Sequence, residues 1–409
     1  MSVRLGAGLR RRNASWVAAT ALCLVAAGCS SNDDQSTSPQ PEAASSASTA
    51  SSPTVAPTSA ASVSFNVKAK GVKVDKVVKL TAQDGTFESV VVKVGKKRLA
   101  GELSEDKATW SSTQRLEPGK RYRVAAVAVD SEGLKATKRS SFSTQSLTLD
   151  EQTFPSFSPV GGDTVGVGMP VVVRFDVPVT KKAEIERHLT VTNSSRQRGA
   201  WHWMSDSEVH WRPVHYWKPG TKVTVKADIN SVPAGNGVFG QVSRTSSFRV
   251  GDSVISRVNA QTHQLKTFIN GKLARTIPIT TGKAGFTTRS GVKVIVEKFR
   301  SKRMNSETVG IAAGSSEAYD INNVEYAMRV TYSGEFLHAA PWSVGSQGYA
   351  NVSHGCTGMS TSNAAWLYGV SKPGDVVEYT GTDRQMTLDN GYGDWNESFK
   401  EYKSGSALS

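Results

Sequence analysis

The stretch His338–Ser360 reads HAAPWSVGSQGYANVSHGCTGMS and concentrates the reactive side chains of the chain. It holds the last two of seven histidines, His338 and His354, and the one cysteine outside the N-terminal leader, Cys356. Glycine and proline at this density indicate a loop, and loops on a rigid scaffold often carry catalytic residues. A lone cysteine with histidines nearby is a candidate nucleophile with its base.

The chemistry of this loop depends on how the thiol is activated. A free cysteine has a pKa near about 8.5, so only a few per cent is thiolate at neutral pH. An imidazole within reach would raise that fraction by forming a thiolate–imidazolium pair and would later return the proton to a leaving amine. His354 stands two residues before Cys356, so an extended backbone puts both side chains on one face. His338 lies eighteen residues upstream of Cys356 and comes close only if the glycine-rich loop folds back.

Two other features of the loop are open to interpretation. Gly355 leaves the backbone free to bend, so the amides of Gly355 and Cys356 are candidates for stabilising an oxyanion. A zinc site built from His338, His354 and Cys356 is the alternative to nucleophilic catalysis. It lacks a persuasive fourth ligand, although a catalytic zinc needs only three protein ligands. No metal and no cofactor are predicted.

Length and charge limit the number of domains and the kinds of partner. A chain of 409 residues allows two or three domains of roughly 100–200 residues each. The net charge is +14, and without the four arginines of the leader 45 basic residues face 35 acidic ones. A basic surface can meet nucleic acid, anionic lipid or an acidic wall polymer. No basic cluster interleaves with aromatic residues, so nucleic acid is not predicted as a partner and solvated surface lysines are expected.

The N-terminus is predicted to direct export. Residues 1–28 contain arginines, an apolar run and then small residues, as bacterial signal peptides do. The apolar run is shorter than the about 20 residues of a membrane-spanning helix. Small residues directly before Cys29 resemble a lipoprotein signal-peptidase site, so Cys29 is predicted to be lipidated, with an ordinary cleaved signal or an uncleaved anchor as alternatives. Residues 29–62 are rich in Ser, Ala, Thr and Pro and are predicted to form a disordered tether.

Two strand-rich modules follow, at residues 63–147 and 148–250. Short alternating runs separated by glycine- and proline-containing turns are typical of β-sandwiches. Neither module contains a cysteine, so neither is a disulfide-linked immunoglobulin domain. The predicted strands are 74–80, 89–94, 121–129 and 140–144 in the first module and 171–175, 189–192, 208–211, 222–227 and 246–250 in the second.

The second module also concentrates tryptophan and histidine. His202 and His210 alternate with tryptophans in strand-like runs, so their side chains are predicted to point away from the buried face. A metal site with His215 as third ligand is the alternative, but no carboxylate or cysteine cluster accompanies these histidines. Surface or interface positions are therefore predicted for them. The tryptophans are predicted to pack in the core or between domains, with sugar-binding platforms as the other option.

Residues 251–380 are predicted to form the module that carries the loop. Asn270-Gly271 is a strong hairpin signal. One short helix, 362–370, is predicted after the cysteine, with Ser360 or Ser362 as its N-cap. The predicted strands of this module are 254–258, 265–269, 273–280, 292–299, 326–332, 335–338 and 375–379.

The run Ser353-His354-Gly355-Cys356, with Tyr332-Ser333-Gly334 and His338 before it, resembles the L,D-transpeptidases. More closely, it is similar to the actinobacterial class with two immunoglobulin-like domains before the catalytic one. The likeness extends over most of residues 63–400. It implies a mainly β fold: two Ig-like β-sandwich domains, a β-rich catalytic domain with a short helix, and a C-terminal extension over 381–409 that packs on the body.

The resemblance also implies roles for single residues. Cys356 matches the nucleophile that takes an acyl group from a tetrapeptide stem. His338 matches the base, which the backbone carbonyl of the following residue, Ala339, orients. His354 matches the second histidine of the signature, and Gly355 contributes an amide to the oxyanion site. The remaining matches are the oxyanion hydroxyl of Tyr319, the substrate-contacting positions Ser333, Gly334 and Asn351, and the flap residues Met304 and Trp342.

Two positions depart from the family pattern. The residue two after the nucleophile is commonly Asn or Arg and is Gly358 here, which removes one polar side chain beside the site. Some relatives bind calcium through acidic side chains of a loop in the second module. The matching loop here carries Pro233 and Asn236, so calcium is not predicted.

The resemblance implies an extracytoplasmic enzyme, anchored to the outer face of the membrane by its N-terminal lipid, that acts on peptidoglycan stem peptides. Cys356 attacks the third stem residue and releases the terminal D-alanine. The diamino-acid amine of a neighbouring stem resolves the thioester to a 3→3 cross-link, and carbapenem-type β-lactams are expected to trap the thiol. The alternatives are an L,D-carboxypeptidase or a protein-to-peptidoglycan attaching enzyme using the same thioester, a zinc hydrolase, and a non-catalytic cell-wall-binding lipoprotein.

Overall fold

A computed structural model describes residues 57–409. The predicted export signal, Cys29 and the tether as far as residue 56 lie outside the described residues. Strands dominate the described part and helices are few and short, so the predicted mainly β class is confirmed. None of the helices described there has the length and apolar character needed to cross a bilayer.

The first module is a sandwich of two four-stranded sheets around an apolar core. Its strands are β1 (Ser62–Phe65), β2 (Lys79–Gln83), β3 (Thr86–Val94), β4 (Lys97–Arg98), β5 (Gly101–Leu103), β6 (Thr109–Ser112), β7 (Arg121–Val129) and β8 (Lys135–Ser143). One sheet has the order β1-β2-β6-β5 and the other β4-β3-β7-β8. Alternate residues of β7 are buried, as the alternating sequence predicts.

Two predictions for this module differ from the structure. The folded body begins inside the predicted tether, because Ser59 Oγ and the Ala60 N–H donate to the Asp130 carboxylate and β1 starts at Ser62. The strand predicted over 74–80 is wrong for most of its length, since β2 begins at Lys79. Residues before it run along the end of β8, where Val72 pairs with Thr144, and enter the other sheet only afterwards.

The second module is a second sandwich, with sheets in the orders β10-β12-β15-β14 and β11-β19-β16-β13 and a small sheet β17-β18-β9. Its elements are β9 (Gln152–Thr153), β10 (Pro155–Ser158), β11 (Thr164–Val165), β12 (Val171–Phe175), α1 (Lys182–Glu186), β13 (Leu189–Asn193), β14 (Gly199–Trp203), β15 (Glu208–Pro213), β16 (Lys222–Ala227), β17 (Pro233–Gly235), β18 (Val238–Gly240) and β19 (Arg244–Val250). The tryptophans are buried in its core, as predicted, and Trp211 stacks on Trp217 with ring centroids 5.4 Å apart.

The third module consists of two packed sheets, in the orders β22-β21-β20-β28-β23 and β24-β25-β26-β27. Its elements are β20 (Val254–Asn259), β21 (Gln264–Ile269), β22 (Lys272–Pro278), β23 (Gly291–Val294), β24 (Glu297–Asn305), β25 (Asp320–Arg329), β26 (Phe336–Ala339), β27 (Thr357–Met359), α2 (Thr361–Val370) and β28 (Val376–Thr380). Asn270 and Gly271 both have positive φ, so the predicted hairpin turn is confirmed. Helix α2 is also confirmed, with Ser360 as its N-cap.

The run predicted as one strand over 292–299 is two strands in different sheets. The chain crosses between the sheets at Ile295 and Val296, whose N–H groups donate to Asp375 and Arg329 respectively. The run Val292–Val296 is apolar except for Lys293, and its pattern gives no sign of such a crossing. The strand predicted from residue 326 begins at Asp320, six residues earlier.

The second and third modules are joined through backbone hydrogen bonds. The N–H groups of Gly166 and Gly168 donate to the carbonyls of Pro373 and Gly374 at 2.9 and 2.8 Å. The Tyr216 hydroxyl reaches Glu378 across the same junction. The C-terminal extension covers it further, because Asn396 bonds the backbone of Val292 in β23.

The C-terminal extension ends in a short helix, α3 (Phe399–Ser404), that was not predicted. Its signal was present, since Ser398 and Glu401 form a capping box of the S-x-x-E type. The extension packs on the second module around Arg212, whose guanidinium lies 4.4 Å from the Tyr402 ring centroid and 4.9 Å from that of Trp395. The expected packing of the extension on the body is therefore present.

His202 and His210 point away from the tryptophan core, but the C-terminal extension covers that face. His202 Nδ1 bonds the Tyr402 carbonyl at 2.7 Å. His210 is 2% exposed and lies between Glu208, at 2.6 Å, and Asp394, at 2.9 Å. Burial alone would lower the pKa of His210, but the two carboxylates raise it to about 9. His210 is therefore a buried cation that holds the extension in place.

Replacing Asp394 with alanine should destabilise the protein. The buried His210 cation would lose one partner and the Tyr402 hydroxyl, which donates to Asp394 at 2.8 Å, would lose its acceptor. Breaking a buried ion pair from one side costs about 3 kcal/mol. Thermal unfolding monitored by circular dichroism should show a lower midpoint for Asp394→Ala, whereas Asp389→Ala, an exposed acid of the same extension, should leave it unchanged. Equal midpoints for the two variants would contradict this role.

Candidate active site

The predicted nucleophile and base are brought together by a short parallel pairing. Strands β26 and β27 pair with His338 opposite Gly358. Side chains alternate along a strand, so Cys356, two residues before Gly358, projects from the same face as His338. Both residues line one cavity of about 320 Å³, together with Met304, Tyr319 and Trp342. The loop thus folds back as the eighteen-residue separation requires.

The environment of His338 defines its tautomer. Its Nδ1 lies 2.8 Å from the Ala339 carbonyl, which can only accept a hydrogen bond, so Nδ1 carries the proton. Nε2 is left as an acceptor, which is the form that a general base needs. The ring is 6% exposed and lies beneath Trp342, with centroids 5.9 Å apart. Burial lowers the pKa of His338 below its ordinary value, so the ring is neutral at pH 7.

The thiol of Cys356 is also neutral in this state. Its Sγ points to the Gly334 carbonyl at 3.6 Å. Burial raises the pKa of Cys356 to about 11, against smaller opposing effects from the Phe336 N–H and from Lys293. The sequence interpretation of a thiolate–imidazolium pair therefore does not describe this state. The thiol and the imidazole are both neutral and line the same cavity.

The turn that carries Cys356 depends on Gly355 and Ser353. Gly355 has φ +117°, a conformation that residues with a Cβ rarely adopt, which is the sharp bend expected from the sequence. The Ser353 hydroxyl donates to the Cys356 carbonyl at 2.6 Å and accepts from the Gly355 N–H at 3.2 Å. The Gly355 amide, predicted as an oxyanion donor, therefore already has an internal partner.

His354 does not bond the thiol. Its Nε2 bonds the carboxylate of Glu317 at 2.7 Å, and its ring packs between those of Phe286 and Tyr319. Glu317 also accepts a hydrogen bond from Lys283 Nζ at 2.5 Å. The hydrogen bonds from Lys283 and His354 lower the pKa of Glu317. Glu317 belongs to the flap, defined here as residues 306–319 between β24 and β25. His354 thus connects the flap to the catalytic loop.

The flap divides the space around the sulfur in two. A second cavity of about 300 Å³ shares Met304, Tyr319 and Cys356 with the first. Its other walls differ in character, since they include Lys302, Arg303 and Arg329. Burial raises the pKa of Tyr319 to about 12, so its hydroxyl stays protonated and can donate a hydrogen bond. The predicted flap residues Met304 and Trp342 and the predicted oxyanion residue Tyr319 all lie at this site.

Of the three predicted substrate-contacting residues, Gly334 lines the second cavity beside the sulfur. The side chain of Asn351 is hydrogen-bonded inside the protein, so its predicted contact with substrate stays a prediction. Its Oδ1 accepts from the Thr281 N–H and hydroxyl, and its Nδ2 donates to the Ala260 carbonyl. Ser333 is likewise held by Asn390 of the C-terminal extension, and neither residue lines a cavity at Cys356.

A buried ionic cluster behind the loop was missed from the sequence. Lys293 Nζ, 0% exposed, donates to Glu335, which also accepts from Arg289 at 2.9 Å. Lys293 lies 3.7 Å from the ring centroid of Tyr379, whose hydroxyl bonds Thr357 of β27. Desolvation lowers the pKa of Lys293 to about 8. The signal was a lysine inside the apolar run VKVIV, since lysine is rarely buried without a partner.

Over residues 57–409, the His, Cys, Asp and Glu side chains form no group of three or more arranged to hold a metal ion.

Comparison with known proteins finds family matches over two parts of the chain. A bacterial Ig domain family matches residues 69–233 and an L,D-transpeptidase catalytic domain family matches residues 253–378. L,D-transpeptidase 2 of Mycobacterium tuberculosis is 37% identical over 83% of this chain and 83% of its own length. L,D-transpeptidase 5 of the same species is 32% identical over 80% of this chain and 72% of its own.

Among solved structures, an L,D-transpeptidase in complex with imipenem is 38% identical over 55% of this chain and 97% of that chain, with a TM-score of 0.49. The sequence identity to L,D-transpeptidase 2 runs through most of both chains, the Ig-like part as well as the catalytic part. With its cysteine and histidine side by side in the matching domain, this chain belongs to the L,D-transpeptidase family.

Proposed function

We propose that this protein joins peptidoglycan stem peptides by 3→3 cross-links, through a thioester on Cys356. The observation that supports this most directly is the placement of Cys356 and His338 on one face and in one cavity, with Nε2 of His338 free to accept a proton. Donor and acceptor are both peptide stems. Because the reaction exchanges one peptide bond for another, it needs no cofactor.

In the first half-reaction the sulfur of Cys356 attacks the carbonyl carbon of the third stem residue. The thiol proton passes to Nε2 of His338 as the C–S bond forms. Collapse of the tetrahedral intermediate breaks the peptide bond to the terminal D-alanine, whose nitrogen takes that proton from His338. The Tyr319 hydroxyl, beside Cys356 in both cavities, stabilises the oxyanion.

In the second half-reaction His338 performs the same steps in reverse. The acceptor amine attacks the thioester and gives a proton to His338, and the departing sulfur recovers it. Leaving and attacking nitrogens must therefore both lie on the His338 side, in the cavity under Trp342. The acyl peptide then occupies the second cavity, where Lys302, Arg303 and Arg329 face the carboxylates of a stem.

The same sulfur is expected to be trapped by carbapenems. A carbapenem presents a strained carbonyl. Attack by the Cys356 sulfur breaks the ring C–N bond, and the freed nitrogen stays attached to the acyl group. The thioester remains because no separate leaving group departs. The relative solved in complex with imipenem supports this expectation.

The cross-linking activity should depend on the sulfur of Cys356. With a defined tetrapeptide stem as donor and acceptor, the wild-type protein should yield tripeptide–tripeptide dimers and free D-alanine by mass spectrometry, and Cys356→Ala should yield neither. Dimers formed by Cys356→Ala would show that Cys356 is not the nucleophile. A wild-type product of tripeptide alone would identify a carboxypeptidase that uses the same thioester.

We further propose that His354 acts as a positioning residue for the flap. Its bond to Glu317 and the bond from Lys283 to the same carboxylate tie the flap to two loops of the catalytic body. Tyr319 follows Glu317 by two residues and packs on the His354 ring. The ion pair therefore holds the oxyanion hydroxyl over the sulfur.

Neutralising this contact should slow acylation. Glu317→Gln keeps the shape of the side chain but removes its charge, and partly exposed ion pairs of this kind change equilibria by about two- to fivefold. The rate of carbapenem addition to Cys356, followed by intact mass, should fall by that factor. Glu325→Gln, which breaks the exposed Arg300–Glu325 pair on the same hairpin, should leave the rate unchanged.

A double variant tests whether Tyr319 mediates the effect. If the His354–Glu317 contact acts by holding the Tyr319 hydroxyl, Glu317→Gln should slow acylation little further in a Tyr319→Phe background. Equal losses from Glu317→Gln in both backgrounds would contradict the positioning role.

We also propose that the protein is anchored to the outer face of the cell membrane by a lipid on Cys29. The run of small residues up to Gly28, directly before that cysteine, supports this. The residues that follow, up to the start of the folded body, are polar and small, as a spacer requires.

Removing the lipid attachment point should release the protein. After cell fractionation, wild-type protein should sediment with membranes and Cys29→Ala should not. Cys23→Ala, in the same leader, is the matched control and should behave as wild type. Membrane association that persists in Cys29→Ala would show that another segment anchors the chain.

A further inference from the structure

The positive charge of this protein is concentrated in its first module. Residues 63–147 contain 17 lysines and arginines against 9 aspartates and glutamates, an excess of eight. Residues 148–409, three times as long, contain 28 against 23, an excess of five. The first module contains no residue of the catalytic site, so catalysis does not explain this charge.

Four of these basic side chains lie on the outward face of one sheet. Lys93 of β3 is the register partner of Arg123 of β7. Arg121 lies two residues before Arg123, and Arg139 of β8 is the register partner of Ala125, so all four side chains share one face. All four side chains are exposed, and none makes an ion pair within residues 57–409. Residues 89–94, β7 and β8 contain no Asp or Glu. We call these four side chains the basic face.

A lysine-rich segment extends the basic face at one edge. The Ala69 carbonyl and the Val72 N–H bond the backbone of Ser143 at the end of β8, so the segment continues the sheet. Five exposed lysines lie on it, and four of them line a hollow of about 740 Å³ in which Asp75 is the one acidic residue. The five are Lys68, Lys70, Lys73, Lys76 and Lys79.

The arrangement is unfavourable for the isolated module. Like charges directly opposite each other on neighbouring strands destabilise a sheet. The Lys93–Arg123 pair has this relationship, and neither side chain makes an ion pair within residues 57–409. An anionic partner would remove the repulsion, since it would place negative charge over the face.

We propose that the basic face and its lysine segment bind the carboxylates of peptidoglycan stem peptides and hold the enzyme on its polymeric substrate. The identity of the polymer rests on the proposed function. Nucleic acid fits the face less well, because the exposed large apolar residues of this module, Val77 and Leu103, include no aromatic ring on which a base could stack.

A membrane surface also fits less well. The described chain enters the module beside Asp130, at the start of β8, whereas the lysine segment lies at the other end of that strand. Nine residues of strand separate the two ends by about 30 Å. The lysines thus face away from the end where the tether arrives.

Co-sedimentation with insoluble peptidoglycan tests the proposal. Full-length protein in mild detergent should bind at low salt and lose most of its binding at about 0.5 M NaCl, where exposed charges are screened. The double variant Lys93→Glu, Arg123→Glu should bind at least roughly tenfold more weakly. Lys266→Glu, Lys272→Glu changes net charge equally on exposed strands of the third module and should bind as wild type. Peptidoglycan with its carboxylates converted to amides should not bind.

Three results would overturn the proposal: equal binding to amidated peptidoglycan, equal loss in the two double variants, or retention only by phosphatidylglycerol vesicles. Carbapenem addition to Cys356 in the same variants separates this proposal from the proposed function. Normal acylation by Lys93→Glu, Arg123→Glu with lost binding supports a separate holding surface. Failure of acylation in wild-type protein that still binds would reject the catalytic proposal alone.

Discussion

The parallel pairing of β26 with β27 is the constraint on which the site depends. It spans three residue pairs, yet it brings together two side chains eighteen residues apart in the chain. Gly358 permits it, because a Cβ at that position would lie 2.9 Å from the Cβ of Ala340. The glycine that departs from the family signature is therefore matched to its neighbours here, and the cavity beside His338 gains the volume that a side chain would fill.

The ionic cluster behind β27 supports this pairing at a cost. Desolvating Lys293 and Glu335 is unfavourable, and such clusters are stable only when each charge has well-placed partners. Glu335 accepts from Lys293 and Arg289 and follows Gly334, the residue whose carbonyl faces the thiol. Lys293 reaches β27 through Tyr379 and Thr357. The buried Lys293 thus connects β26, through Glu335, with β27, through Tyr379 and Thr357. The cluster holds together the two strands beside which the reactive side chains lie.

Local sequence signals predicted local structure well and long-range partners poorly. Asn270-Gly271 specified its hairpin, and the alternating sequence of Arg121–Val129 specified β7, because these patterns depend on neighbouring residues. The family signature located Cys356 and His338. Sequence did not show that His354 bonds Glu317, or that the Asn351 side chain bonds Thr281 and Ala260. Those outcomes depend on which loops meet, and residues 37 or 70 positions apart give no periodic signal.

Burial has opposite effects on the two reactive groups, and this defines the resting state. It raises the pKa of the thiol and lowers that of the imidazole, so neither is charged before substrate arrives. A neutral thiol is a weak nucleophile and resists oxidation, because both reactions proceed through the thiolate. Attack therefore requires a carbonyl already placed beside the sulfur, with the Tyr319 hydroxyl ready to stabilise the developing oxyanion and Nε2 of His338 ready for the proton. Reactivity is thus coupled to substrate binding and to the flap that carries Tyr319, which is the selectivity an enzyme needs when it depends on a single thiol.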